Sequence, residues 1–489
     1  MKRLIALLIF LSVGLHSFRV AADNPIFWQR YTADPSALVW EGRLYLFCSH
    51  DTYTVEGGYN YYMNDVTCIS TTDMKNWTDH GEVFSYKDSH WGAKLTWAPQ
   101  VLEREGKFYL YYGNGVMETG VAVADNPLGP YKDERTTPLV GQDTPGVRLF
   151  DAQGNVLIAD PDVPGALEGA QMWGVWAFDP CAFIDPKTGK AYLYFGGGHP
   201  ANSRIIRLKD NLVEVDGNAI HPNTPGFFEA SWIHEHDGKY YLSYSGHGFG
   251  VPTSIEYVMS DNPMYGFQNY GVILPNPPDN DDNNSHHSIV EYKGKSYIAY
   301  HSRKVVHEQM KAAEEGVEWC KRIDGLNDHN AHQYMRSVCI DELNYQADGT
   351  IAITDPTEDG VKQIEYVDPF TRQEAEMMAK GWGIAVDDEG TGRVVISQHE
   401  GDYIRVRGIN FGSANRGTSV KRIQASVKGR GKVEVHLDRV EGEKIATLSA
   451  SGKDWHTVSA SCKPVEGIHD LYFVFPSAGS GIDWWEMSK

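Results

Sequence analysis

The stretch Gly106-Lys107-Phe108-Tyr109-Leu110-Tyr111-Tyr112 decides how the chain is read, because four variants of it recur. They are Gly42-Arg43-Leu44-Tyr45-Leu46-Phe47, Gly189-Lys190-Ala191-Tyr192-Leu193-Tyr194-Phe195, Gly238-Lys239-Tyr240-Tyr241-Leu242-Ser243-Tyr244 and Gly294-Lys295-Ser296-Tyr297-Ile298-Ala299-Tyr300. In each, a glycine supplies the positive-φ position of a hairpin turn. A basic residue and a run of β-favouring aromatic and aliphatic side chains follow it. A short apolar strand precedes every copy: Ser36–Trp40, Gln100–Leu102, Ala182–Asp185, Ser231–His234 and Ser288–Tyr292. Five equivalent hairpins, each with room for two more strands, predict the blades of a five-bladed β-propeller rather than one long sandwich. The first helix-like stretch comes only near His307–Val317, as a short helix or an inserted loop.

The segment just upstream of each hairpin carries the chemistry. In a propeller the innermost strands converge on one axis, so their ends line a common pocket. Three of the five place an acid there, in Asp34-Pro35-Ser36, Asp179-Pro180-Cys181 and Glu229-Ala230-Ser231. Asp-Pro pairs also start turns, and Asp125-Asn126-Pro127, Asp185-Pro186 and Asp261-Asn262-Pro263 are read that way. Glu229 differs, because it stands between Phe227-Phe228 and Ala230-Ser231-Trp232, where apolar surroundings raise a carboxyl pKa. Cleaving a glycosidic bond needs one carboxyl kept protonated for the leaving oxygen and another kept ionised. A third carboxylate beside the acid raises its pKa further by like-charge repulsion. Three acids at one axis supply such a set.

The segments Ala33-Asp34-Pro35-Ser36, Trp97-Ala98-Pro99-Gln100-Val101, Phe178-Asp179-Pro180 and Phe228-Glu229-Ala230-Ser231 resemble the family 43 glycoside hydrolases over about residues 24–355. The resemblance implies inversion at the anomeric carbon, with Asp34 as general base, Glu229 as general acid and Asp179 as the group that tunes and orients the acid. It also implies substrate contacts from Trp97, Phe228, His287 and Arg336, and a calcium-facing role for His286 at the axis. The His-His-Ser form looks closest to arabinofuranosidases that remove side chains from arabinoxylan. A β-xylosidase acting on xylo-oligosaccharides is the alternative within the family, and a non-catalytic sugar-binding propeller the alternative outside it. Invertase-like hydrolases share the propeller but carry Asn-Asp-Pro, Arg-Asp-Pro and Glu-Cys, where this chain has Ala-Asp-Pro, Phe-Asp-Pro and Glu-Ala-Ser.

After Asp348-Gly349-Thr350 the propeller phrases stop, and short alternating strands from about Phe370 onward read as a β-sandwich of jelly-roll type. The whole chain is therefore expected to be all-β, with a leader over 1–22, a propeller over 23–368 and a sandwich over 369–489. The sandwich resembles family 6 carbohydrate-binding modules. That resemblance implies a structural calcium held by Glu374, Glu376 and Asp483, a hard-oxygen set. The first sugar-stacking aromatic of that family is missing near Val394–Ser397, the late asparagine is replaced near Gly481, and Trp455 is expected in the core.

Bulk properties bound the remaining choices. The 489 residues carry a net charge of −21, which argues against nucleic acid as a partner and leaves plant cell-wall polysaccharide (arabinoxylan, arabinan or xylan) as the expected one. The 13 Trp and 27 Tyr suit sugar rings, although β-rich proteins favour aromatics anyway. Lys2-Arg3, the apolar run Leu4–Leu15 and Val20-Ala21-Ala22 have the layout of a cleavable secretory leader, too short to span a membrane. A secreted or periplasmic monomer without an organic cofactor is expected. The six cysteines lack CxxC spacing, so zinc is not expected. Cys320–Cys339 is the candidate pair, and buried thiols are expected for most.

Overall fold

The structure, a computed structural model, describes residues 23–52, 61–148, 176–198, 202–247, 252–280, 284–324, 326, 331–390, 392–412 and 420–489. The expected leader over 1–22 lies outside the described residues, as does most of the loop from Gly141 to Gly174. Blade 1 consists of β1 (Thr32–Trp40), β2 (Arg43–His50), β3 (Asp65–Thr71) and β4 (Trp77–Ser85). Blade 2 has β5 (Trp97–Arg104), β6 (Lys107–Asn114) and β7 (Glu118–Ala124). Blade 3 has β8 (Cys181–Ile184), β9 (Ala191–Phe195), β10 (Arg204–Leu208) and β11 (Val215–Ile220). Blade 4 has β12 (Phe227–His236), β13 (Lys239–Gly246), β14 (Ser254–Ser260) and β15 (Gln268–Leu274). Blade 5 has β16 (His287–Tyr292), β17 (Lys295–Ser302) and β18 (Ser337–Leu343). Each blade is an antiparallel meander in its own sheet.

The repeated phrase forms the second strand of each blade for a local reason. In blades 1, 2, 4 and 5 the two loop residues both take positive φ: Glu41 and Gly42 at 47° and 76°, Glu105 and Gly106 at 55° and 78°, Asp237 and Gly238 at 48° and 82°, Lys293 and Gly294 at 48° and 77°. That is the two-residue turn whose twist matches the strands it joins. A Cβ at Gly42, Gly106 or Gly294 would meet nothing within 4 Å, so these glycines are there for backbone conformation and not for space. The aromatic runs then pack between blades, as in the buried cluster of Tyr194, Trp232, Tyr241, Tyr257, Ile298 and Tyr300.

Among the described residues blade 5 has three strands, and the N-terminal segment lies along its last one. Ile26 N–H donates to Val338 O (2.9 Å), and Thr32 N–H donates to Arg336 O (2.8 Å). The Asn24 side chain bonds both backbone groups of Ile340. The first described residues thus close the ring against its last blade. Between β17 and β18 the chain makes a helix, α1 (Lys304–Glu314), which resolves the helix-or-loop choice for that stretch.

The remaining strands are β19 (Gln373–Glu374), β20 (Met377–Met378), β21 (Lys380–Trp382), β22 (Ile384–Asp388), β23 (Arg393–Ser397), β24 (Asp402–Gly412), β25 (Arg422–Leu437), β26 (Lys444–Ser461), β27 (Gly467–Phe475) and β28 (Gly481–Ser488). All but β20 belong to one wrapped sheet. The first half of β25 pairs with β28, its second half with β27, and all of it with β26, so one long strand joins both layers of the sandwich. The core between the layers holds Ile423, Val435, Phe473 and Trp485. Strand β20 leaves this sheet and extends blade 1, pairing Met377–Met378 with Thr78–Trp77.

Ion pairs lock the two parts together. Asp23 is buried between Lys75 of the propeller and Arg405 of β24, with Arg407 at 3.1 Å. Asp79 takes Arg30 from one side, and Arg393 of β23 lies 3.6 Å away. All six cysteines are free thiols, so Cys320 and Cys339 do not pair. No described helix is long and apolar enough to cross a membrane. Removing one partner of a buried ion pair leaves an uncompensated charge. Asp23→Leu, which leaves the buried Lys75 and Arg405 without their carboxylate, is therefore expected to lower the unfolding free energy by about 3–5 kcal/mol, read as a lower urea midpoint by tryptophan fluorescence.

Candidate active site

Each acid reaches the axis through a distorted strand head. The β1–β2 register slips between Ala33 and Ser36, β5–β6 between Trp97 and Gln100, and β12–β13 between Glu229 and Trp232. Within these bulges Asp34, Ala98 and Ala230 have φ of 50°, 44° and 62°, and Asp179, just before β8, has φ of 51°. Left-handed backbone costs a residue with a Cβ roughly 1–2 kcal/mol. It redirects a side chain that a regular strand would turn into the sheet. In blades 1 and 3 the left-handed residue is itself the acid. In blade 4 that place is taken by Ala230, and the longer Glu229 stands one residue earlier.

The three carboxyls are nearly buried, at 4% (Asp34), 5% (Asp179) and 8% (Glu229) exposure. Arg336 donates from Nη1 to Asp34 Oδ1 at 2.7 Å. Asp179 Oδ2 accepts the N–H of Ala230 at 3.1 Å, which ties blade 3 to the residue beside Glu229. His286 Nδ1 lies 3.6 Å from Asp34 and 3.9 Å from Asp179. The N–H of Asp34 points to His301 Nδ1 (3.3 Å), while His301 Nε2 meets Asn284 O (3.1 Å). Those contacts require a neutral ring with its proton on Nε2, in keeping with a His301 pKa lowered by burial.

The carboxyls are driven apart in protonation. Burial alone would raise Asp34, but the Arg336 guanidinium outweighs it and holds Asp34 below the ordinary carboxylate range. Burial pushes Glu229 well above that range, and repulsion from Asp34 adds to it; Arg336 and a hydrogen bond from Asn284 oppose. Asp179 is likewise raised, by burial and then by Glu229 and Asp34. Asp34 is thereby biased to the ionised form, and Glu229 and Asp179 to the protonated one.

Aromatic rings form the wall. Trp97 meets Tyr61 edge-on at 6.0 Å and Phe178 at 6.4 Å, and Tyr61 meets Tyr334 at 4.7 Å. The Arg336 guanidinium lies over the Tyr61 ring at 5.0 Å. Phe178 reaches its place because residue 197 is glycine, where a Cβ would come within 2.1 Å of the ring. The indole N–H of Trp97 is buried without a hydrogen-bond partner among the described residues.

The other predicted residues divide. Arg336 stands among the acids, and Phe228 adjoins Glu229, its carbonyl accepting Gly198 N–H (2.8 Å). His287, by contrast, has no exposed surface, and its Nε2 engages Ser243 of blade 4 at 2.7 Å. Its ring serves a blade–blade contact, and it is His286 that faces the carboxyls. Sequence reasoning missed Asp51, Tyr61, Tyr334 and His301, which carry no motif and meet only through the fold.

Among the described residues, no group of three or more His, Cys, Asp or Glu side chains is arranged to hold a metal ion. In the sandwich, the Arg372 guanidinium forks onto Glu374 at 2.7 and 3.0 Å. Glu376 keeps a buried Oε2 without a partner, and burial, then Glu374 and Asp483, push its pKa up to about 7. Trp455 is half-exposed rather than in the core. Its N–H donates to Glu389 (2.9 Å), its ring covers Gly481, and Lys428 lies 5.6 Å from the ring centre. The core tryptophan is Trp485.

Residues 22–157 and 163–351 match the family described as glycosyl hydrolases family 43, and residues 374–489 match the carbohydrate binding module of family 6. The chain is 32% identical to an arabinoxylan arabinofuranohydrolase of Paenibacillus polymyxa, over 95% of this chain and 74% of that protein. It superposes with a TM-score of 0.76 on a family 43 arabinoxylan arabinofuranohydrolase of Bacillus subtilis solved with cellotetraose, at 29% identity over 96% of this chain and 98% of that one. An α-L-arabinofuranosidase of Clostridium thermocellum is 47% identical with a TM-score of 0.53, covering 70% of this chain and 99% of its own. The chain belongs to glycosyl hydrolases family 43 and is a glycoside hydrolase.

Since Arg336 is the cation on which the buried charge of Asp34 rests, Arg336→Met is expected to cost about 3–5 kcal/mol of stability. Urea unfolding of the variant beside the wild type measures it.

Proposed function

We propose that this family 43 hydrolase is exported, to the medium or the periplasm, and acts as a monomer. It removes α-L-arabinofuranosyl side chains from arabinoxylan or a related hemicellulose with inversion. The observation that carries this reading is the opposite displacement of two buried carboxyls at one axis: Asp34 held ionised by Arg336, Glu229 held protonated by burial and by Asp34. An inverting hydrolase needs that pair, one to take a proton and one to give it. The arabinofuranosidase names among the similar proteins support the choice of sugar.

In this mechanism the arabinofuranosyl ring enters beside the aromatic wall of Trp97. Asp34 takes a proton from a water on one face of the ring as the water oxygen bonds to the anomeric carbon. On the other side Glu229 gives its proton to the departing oxygen of the xylan chain. Arabinose leaves with its anomeric configuration inverted, and proton exchange with water resets both carboxyls. Asp179 is held by the N–H of Ala230, the residue after Glu229. Ionising either of the two makes the other harder to ionise.

For the sandwich, we infer a structural calcium at Glu376 and Asp483, with Glu374 joining once Arg372 releases it. A hard cation suits three carboxylates, one of them a buried oxygen without a partner. At the axis we infer a second, water-coordinated calcium faced by His286, the ring beside Asp34 and Asp179.

Glu229→Gln is expected to lower kcat on 4-nitrophenyl α-L-arabinofuranoside by about 10²–10⁴-fold; a variant as fast as wild type would remove Glu229 from the acid role. Release of xylose without arabinose from arabinoxylan would make the enzyme a β-xylosidase instead, and proton NMR of the first-formed anomer tests inversion. Because the acid works protonated and its pKa is raised, kcat/KM should hold through neutral pH and fall as pH rises through that pKa. The depressed pKa of Asp34 keeps the acidic side flat. Chelator should lower the melting temperature and added calcium restore it; an unchanged value would exclude the sandwich calcium.

A further inference from the structure

Arg336 holds two carboxylates, and only one belongs to the trio at the axis. The second is Asp51, the residue after β2, 4% exposed. Its Oδ2 accepts both the backbone N–H and Nε–H of Arg336 at 2.9 Å, and its Oδ1 accepts from Nη2 at 2.8 Å. The Sδ of Met63 lies 3.0 Å from Nη2, and the Tyr61 ring covers one face of the guanidinium. Asp51 is itself fixed, since its N–H donates to Tyr31 O at 3.2 Å. Only Nη1 is left to point at the axis, and it meets a single oxygen, Oδ1 of Asp34. The other oxygen of Asp34 accepts no hydrogen bond among the described residues.

An arginine facing one carboxylate ordinarily closes on it with two parallel hydrogen bonds. Here that cannot happen, because Asp51 already occupies the Nε and Nη2 edge. We propose that Asp51 is a positioning residue for the reaction: by taking the fork of Arg336 it restricts the guanidinium to one oxygen of Asp34 and leaves the other free to accept the proton of the attacking water. This rests on the reading of Asp34 as the general base. Without Asp51, Arg336 turns its fork onto Asp34, both oxygens become engaged, and the water loses its acceptor.

The test uses the full-length enzyme with aryl α-L-arabinofuranosides of poor and good leaving groups. Asp51→Asn removes the charge at nearly constant volume. It is expected to lower kcat by about 10–100-fold with KM changed less than about 3-fold, the scale of a misplaced reacting group. The loss should be equal for both leaving groups, because it lies on the water side of the reaction. Asp51→Glu, which keeps the charge but shifts the fork, should recover part of the loss, and it serves as the test if the Asn variant does not fold. An unchanged kcat overturns the proposal, as does a loss confined to KM. So does a loss that vanishes with the good leaving group, which would place the effect at the acid, and so does a Glu variant no better than Asn. Asp34→Asn, assayed in parallel, separates the two readings. If that variant stays active, the base assignment fails; if it is inactive while Asp51→Asn equals wild type, only the role of Asp51 fails.

Discussion

Four carboxyls crowd around one guanidinium at the propeller axis, and the distribution of its donors governs the rest. Arg336 directs its hydrogen bonds to Asp34 and Asp51, and none to Asp179 or Glu229. Moving an isolated carboxylate out of water costs several kcal/mol, so the two acids to which Arg336 donates no hydrogen bond are biased toward their protonated forms. Burial also pushes His286 and His301 down, and neither supplies a compensating positive charge. The difference between an ionised and a protonated carboxyl thus arises from which strand end each occupies. Asp34 lies where blade 5 delivers Arg336, and Glu229 lies where it does not.

Holding those groups in place is the work of the blade-to-blade contacts. Ala98 N–H donates to Ser49 Oγ, Ala230 N–H to Asp179, Gly198 N–H to Phe228 O, and Ser243 meets His287. Each joins the head of an inner strand to a neighbouring blade, so the strained left-handed residues there are supported from the side. The repeated turn chemistry acts at the other end of these strands, where it fixes register and thereby which residue falls at the axis.

Much of this was legible in the chain. The five glycine phrases announced the blades because a hairpin turn needs its positive-φ glycine regardless of context, in four of them as the second residue of a two-residue turn. The three acids stood out because each stands just upstream of its own hairpin. Asp51 left no such mark: it follows Cys48-Ser49-His50 at a strand end, and its importance comes from a residue 285 positions away. His287 read as a pocket residue since its neighbour is one, but successive side chains of a strand point opposite ways, and only His286 turns to the axis. Trp455 read as core because a sandwich needs a core tryptophan; Trp485 fills that place, and the half-exposed position of Trp455 over Gly481 was invisible without the sheet.

Strand β20 has a bearing on how the chain is assembled. It covers the outer edge of blade 1 with residues synthesised about 300 positions after that blade, and Asp23 meets Arg405 across 382 positions. Such distant pairings slow folding and lengthen the time for which an open sheet edge is exposed to other chains. The sandwich is therefore a late closure of the propeller, placed where an uncovered first blade would otherwise invite aggregation.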